Sequence, residues 1–160
     1  MSFTMPRSCF FSYGISFHES GRVTTFPAAY VNIQDQKGEW ASFVLLIDSG
    51  ATISALPAAD ASLLGVDAKR GERIAIIGIG GKPVRGWRHE LRARLGENQI
   101  TLPLVFLDDP QSPRVLGRTN IFEQFTVVFE ERKHRTGLIG ERTQEEKEIR
   151  SVLDRIGGSK

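Results

Sequence analysis

The feature that most constrains this chain is an apolar run, residues 43–47, that ends directly on Asp48-Ser49-Gly50. Five continuous apolar residues fit a strand covered on both faces. They are far too few to span a bilayer. A carboxylate at the inner end of such a strand is costly unless hydrogen bonds receive it. Ser49 and Gly50 are what a tight turn needs to fold around Asp48 and offer it backbone N–H donors. The same three letters also serve ordinary surface turns. A triplet of this kind arises by chance in roughly one chain in ten to twenty of this length, so alone it decides nothing.

Around that segment the chain reads as mostly β. Phe11, Tyr13, Ile15 and Phe17 alternate with polar neighbours, the period-two signature of a strand. Residues 24–33 form another candidate, interrupted at Pro27, which argues for an edge or a bulge. In residues 87–95, Trp87, Leu91, Ala93 and Leu95 share one face and Arg88, Glu90, Arg92 and Arg94 the other. Residues 100–107 and 126–129 are further strands. Helical signals are few. Residues 57–64 suit a short helix opened by Pro57 and stopped by Gly65, and residues 119–125 suit another. Thr143 and Glu146 have capping-box spacing ahead of Ile149, Val152, Leu153 and Ile156 at helical intervals, with Gly157 and Gly158 to end the helix. The expected organisation is one domain over residues 1–130, then a charged connector and an amphipathic helix over 131–160.

Composition excludes some classes. With 160 residues, 40% hydrophobic and 25% charged, the chain is of the globular type. A formal charge of +2 offers no whole-surface attraction for nucleic acid or an anionic membrane, and neither is expected as a partner. Cys9 is the only cysteine, so no intrachain disulfide can form, which fits a reducing compartment. Residues 1–13 show no signal-peptide pattern, and a cytoplasmic location is expected. His18, His89 and His134 are scattered outside ligand spacing, so no metal and no other cofactor is expected. Cys9 has no histidine near it in sequence to make it a nucleophile. Lys82, Arg85, Arg88, Arg92 and Arg94 form a basic run that reads first as a solvated strand face and second as a site for acidic groups.

Two further motifs give Asp48 its context. In Ile76-Ile77-Gly78-Ile79-Gly80-Gly81, glycines flank one apolar residue, as suits a mobile hairpin tip lying over a cleft; the pattern equally serves a plain glycine-rich turn. No Gly-Lys-Ser/Thr follows, so it is not a phosphate loop. Later come Val115-Leu116-Gly117-Arg118 and the segment 121–125.

In that order the three motifs resemble the retropepsins, the single-domain aspartic proteases of retroviruses and their cellular and bacterial relatives. The resemblance spans about residues 25–130. It implies an all-β, closed barrel-like acid protease fold with a flap hairpin, one or two short helices and, here, a C-terminal amphipathic helix. It implies Asp48 as catalytic residue, with Ser49, Gly50, Ala51 and Thr52 supporting its loop. Ile77, Gly78, Ile79, Gly80 and Gly81 would form the flap, and Leu116, Gly117 and Arg118 the structural second motif. Asp-Ser-Gly occurs once, and the chemistry needs two carboxylates sharing a proton over a water. The second must come from another copy, which makes a homodimer acting on a peptide or protein substrate the expected state. The rival reading is a silent module of the same fold that binds peptides or partners. Two departures stand out. Retroviral members carry an aspartate where this chain has Thr52, and commonly Asp or Asn where it has Thr119, so Arg118 must find another partner. The tail beyond Phe129 matches no part of the family.

Overall fold

A computed structural model describes residues 6–78 and 81–158. Its strands are β1 Cys9–Ser12, β2 Gly14–Phe17, β3 Val23–Phe26, β4 Ala28–Gln34, β5 Trp40–Ile47, β6 Ser54–Pro57, β7 Glu72–Ile77, β8 Pro83–Leu95, β9 Asn98–Leu107, β10 Val115–Leu116, β11 Phe125–Glu130 and β12 Arg135–Gly140. One α-helix, α1 Gln144–Gly157, and three short 3-10 turns complete the described residues.

Seven strands form the main sheet in the order β4-β5-β10-β6-β9-β8-β7. β4 also pairs with β8, Val31 opposite Leu95, so six of them return on themselves in a closed ring. Side chains alternate across each strand, and the inward set fills the ring: Ile33, Leu45, Leu56, Leu95, Leu104 and Phe106 are fully buried. Each such side chain contributes on the order of 1.5–3 kcal/mol by leaving water. β8 and β9 are joined by Gly96-Glu97, with Gly96 at φ +58°, which glycine adopts without strain. The all-β architecture read from the sequence is the one present.

Several local expectations change. Phe11 and Tyr13 do not continue into Ile15 and Phe17 as one strand. The Tyr13 N–H turns to the His134 carbonyl (2.8 Å), leaving β1 in one sheet and β2 in another. The run 43–47 is covered on one face only, because ring closure gives β5 an inside and an outside: Phe43, Leu45 and Ile47 are buried while Val44 is 41% exposed. Residues 119–125 make turns rather than a helix, since Asn120 takes a positive φ of 61°. The stretch expected as a charged connector holds β12, which pairs with β1 on one side and β11 on the other.

Residues 58–64 do form a 3-10 helix, capped by Gly65 at φ +63°. In α1 the Thr143 hydroxyl caps the Glu146 N–H. The Glu146 carboxylate pairs with Arg150 rather than closing the box. The helix leaves its apolar stripe uncovered, with Val152, Leu153 and Ile156 exposed. No helix among the described residues is long and apolar enough to cross a membrane.

Candidate functional site

Asp48 stands where β5 ends, between two neighbours. The Ile47 N–H donates to the Pro27 carbonyl (2.9 Å), and the Asp48 N–H donates to the Leu116 carbonyl (3.1 Å). The chain then folds back at once. The Gly50 N–H donates to Asp48 Oδ1 (2.8 Å), and the Ala51 N–H donates to the Asp48 carbonyl (3.2 Å). A Cβ on residue 50 would stand 3.1 Å from that carboxylate oxygen, tight enough to push the carboxylate aside by a few tenths of an ångström. Asp48 is half-buried, while Ser49 and Gly50 are exposed. Among the described residues the carboxylate is therefore held by one backbone donor, with no partner on its other oxygen.

The second motif holds the loop from below. β10 inserts between β5 and β6, parallel to the first (Val115 opposite Leu46, Leu116 opposite Ile47) and antiparallel to the second (Val115 opposite Ala55). Its two residues thus wedge apart the limbs that enter and leave the Asp48 turn. Gly117 lies flat on Ile53: an added Cβ would be 2.5–2.9 Å from three Ile53 backbone atoms. From there three N–H groups staple the outgoing limb, Gly117 to the Ser54 hydroxyl (3.0 Å), Arg118 to the Ala51 carbonyl (3.0 Å) and Thr119 to the Thr52 carbonyl (2.9 Å). The Thr119 hydroxyl donates to the same Thr52 carbonyl (2.7 Å). Arg118 meets the Thr52 hydroxyl at 3.5 Å, the long limit of a hydrogen bond. Its guanidinium is exposed and has no carboxylate partner among the described residues.

Two supports carried no sequence signal. Ser54 is fully buried and gives its hydroxyl oxygen to Gly117. Asp60, buried at the first turn of the 3-10 helix, accepts two hydrogen bonds from Arg114 (2.7 and 2.9 Å), while the Arg114 carbonyl receives the Leu46 N–H. The hydrogen bonds to Asp60, more than its charge, raise the Arg114 pKa against the opposing effect of burial. This fork–fork pair fixes the chain at the entry to β10.

The glycine-rich segment is the tip of the β7–β8 hairpin. Ile77 is exposed, and the Gly81 N–H donates to the Gly78 carbonyl (2.9 Å) with Gly81 at φ +70°. Ile79 and Gly80 lie outside the described residues. Below the tip a second apolar cluster joins Ile74, Ile76 and Val84 of this hairpin to Ile53 and Ala55 of the outgoing limb, through Val105 and Leu107. Hairpin and Asp48 loop therefore share one apolar floor. A depression of about 370 Å³ lies elsewhere: Asp35, Asp67, Arg70, His89 and Arg92 are among its lining, and no residue of the Asp48 loop is. Its rim carries mixed charge, and the chemistry argues for Asp48 over size.

Other candidates find structural roles. Cys9 sits in β1 against the core, and burial pushes its thiol up to about 11, the opposite of activation. β1, which carries it, is paired with β12, Cys9 opposite Leu138. His18 bonds Thr24, His89 bonds the Ala68 carbonyl, and His134 stacks on Tyr13. No group of three or more metal-ligating side chains is gathered among the described residues. In the basic run Arg85 pairs with Asp108, Arg88 with Glu90, and Arg94 lies 3.9 Å over the Trp40 ring.

Comparisons with known proteins bear on the family and the fold. A family model described as aspartyl protease matches residues 30–120. The fold is similar to that of a retropepsin-like aspartic protease from Rickettsia conorii, at TM-score 0.54 and 17% identity over 82% of this chain and 98% of that one. An EIAV protease complexed with the inhibitor HBY-793 aligns at TM-score 0.48 and 21% identity, over 68% of this chain and 93% of the other. No curated protein matches the sequence.

Proposed function

The chain belongs to the aspartyl protease family, and from that premise we propose that it is an endopeptidase whose reactive centre is a pair of Asp48 carboxylates, one from each of two copies. The observation that carries the reading is the Asp48 turn itself. Its carboxylate is tied by the Gly50 N–H, its limbs are wedged apart by β10, and its second oxygen has no partner among the described residues.

Two carboxylates that close cannot both ionise, so they share one proton. The ionised member takes a proton from a water lying between them as the water attacks the scissile carbonyl carbon. The protonated member donates its hydrogen bond, and then its proton, to the carbonyl oxygen. Collapse of the tetrahedral diol expels the amine, which takes up a proton from one carboxyl while a diol hydroxyl gives its proton to the other, restoring the shared-proton pair. Ser49, beside Asp48 and exposed, would hold the two loops to each other. The β7–β8 tip at residues 77–81 would close over an extended peptide and exclude water. The apolar floor of Ile53, Ile74, Ile76 and Val84 supports a preference for apolar substrate side chains.

Cleavage of a denatured-protein or peptide library, with Asp48→Asn beside the wild type, tests this. The wild type should cleave with a bell-shaped pH profile and be blocked by a transition-state-mimicking aspartic protease inhibitor. The Asp48→Asn substitution should cut the rate by at least about 10²–10⁴-fold, the ordinary contribution of a positioned acid or base. Peptide retention without cleavage by the wild type would instead select the silent binding module.

A further inference from the structure

One cation near the Asp48 turn is answered by no acid among the described residues. The segments that wall the turn are almost bare of charge. Residues 49–59 carry no ionisable side chain, and in residues 115–122 Arg118 is the only one. The arginines around it are already engaged. Arg114, which leads into β10, is forked onto Asp60, and Arg85, near the β7–β8 tip, gives two donors to Asp108. Arg118 has no such mate. Its N–H is fixed to the Ala51 carbonyl (3.0 Å), three residues past Asp48, so its side chain springs from the frame of the turn. There Nη2 meets only the neutral Thr52 hydroxyl, at 3.5 Å. Both side chains are exposed, and the planar fork of N–H donors is left nearly unused.

A fork of this kind matches a carboxylate, which accepts two parallel N–H bonds and answers the charge. An extended peptide advances about 3.3 Å per residue, so a side chain two or three places from the scissile bond lies on the order of 7–10 Å along the strand. An acidic side chain there is repelled by the net negative charge of a carboxylate pair sharing one proton, and a nearby guanidinium offsets that repulsion.

We infer that Arg118 is a specificity-determining residue that receives an ionised Glu or Asp side chain of the substrate, two or three places from the scissile bond. This rests on the protease reading of Asp48. The contact is charge and hydrogen bonding alone, and no bond forms or breaks in it. Glutamine has the shape of glutamate but one acceptor oxygen and no charge, so the comparison of the two isolates the contact.

Octapeptides with an apolar pair at the centre, and Glu, Gln or Lys at each other position in turn, test this. At one position or more the wild type should favour Glu over Gln by at least about tenfold in kcat/KM, as hydrogen bonds to a charged group allow. The difference should lie in KM, because substrate and transition state make the same contact. It should fade as pH falls through about 4.3, where the substrate glutamate takes up a proton, and weaken with added salt. Arg118→Met should bring the Glu-to-Gln ratio to about 1. Thr52→Asp, which keeps the arginine but sets an acid of the chain's own beside it, should do the same. An arginine with only a structural role would be better held by that acid and leave the ratio alone. Ratios taken within one variant cancel any loss of folded enzyme. A wild type with no preference for Glu at any position, or a preference that survives either substitution, would overturn the inference. If the wild type cuts nothing, the same peptides are labelled and titrated onto it by fluorescence anisotropy. Glu-selective binding that Arg118→Met removes would then sink the protease reading and leave the carboxylate site standing, whereas unselective binding or none would sink both.

Discussion

Replacing Gly117 with alanine drives a methyl group against the backbone of Ile53. The new Cβ would lie 2.5–2.9 Å from the Ile53 carbonyl carbon, its oxygen and its nitrogen, closer than real Cβ contacts come. None of these atoms is the end of a flexible side chain, so the strain is relieved only by parting β10 from the limb that leaves the Asp48 turn. Overpacking of this sort costs about 1–3 kcal/mol. Parting the segments also stretches the bonds from Gly117, Arg118 and Thr119 to that limb, and losing one adds about 0.5–1.5 kcal/mol. The expected loss is about 2–4 kcal/mol, a large share of the 5–15 kcal/mol typical of a whole domain. For a chain of this size that lowers Tm by roughly 4–16 °C. Urea unfolding followed by circular dichroism measures it, at one fixed protein concentration because association adds its own stability. The midpoint should fall with the slope unchanged. Ser54→Ala, which orphans the buried Gly117 N–H, should cost about 1–3 kcal/mol alone and less on top of Gly117→Ala, because both break one joint. A loss below about 1 kcal/mol for Gly117→Ala would refute the wedge.

Gly50→Ala should behave differently. Its Cβ meets only Asp48 Oδ1 at 3.1 Å, so peptide cleavage should fall at least about tenfold while Tm moves by only a few degrees, as parallel rate and melting measurements would show. Arg114→Ala leaves the Asp60 carboxylate buried without its partner and should cost about 1–3 kcal/mol in urea, below the full buried-pair penalty because Arg114 is half exposed. The Cys9 thiol holds its proton up to about pH 11 in the fold and only to about 9 when unfolded, so the unfolded chain loses it first. Stability should therefore decline between those values as pH rises, in a Cys9→Ser-controlled melting series. Labelling by iodoacetamide at pH 8 should run about 100-fold slower in the folded protein, from thiolate fraction alone. Glu130, held low first by its hydrogen bonds to Arg135 and Lys133, contributes stability above the ordinary glutamate range that is lost as pH falls through its own lower value. Glu130→Gln should flatten that acid limb of a melting series.

Much of this was legible in the residues because periodicity and turn chemistry are local. The alternation in 87–95 gave β8 its faces, and Pro57 and Gly65 bounded the 3-10 helix. β12 was hidden: Arg135-Thr136-Gly137-Leu138-Ile139-Gly140 carries two glycines, poor strand formers, and follows five charged or titratable residues. What makes it a strand is a partner on each side, and one of them, β1, lies at the other end of the sequence. The aromatic alternation from Phe11 to Phe17 was real in period but blind to Tyr13, where the chain changes sheets. At the site, Asp48 to Gly50 and Leu116 to Arg118 announced themselves by residue type. Ser54 and the Asp60–Arg114 pair did not, because one polar residue among apolar ones looks the same whether it faces water or a buried N–H.

The wedge of Val115 and Leu116 has a temporal side as well. The Asp48 turn closes on its own neighbours, but its limbs are held apart by a strand made long after it in the chain. Closing that long intervening segment is entropically expensive and slow. A nascent polypeptide that has emerged only as far as the β7–β8 hairpin would carry the acid but not the means to aim it. Chain order thus leaves the limbs of the turn unseparated until residues 115–119 are in place.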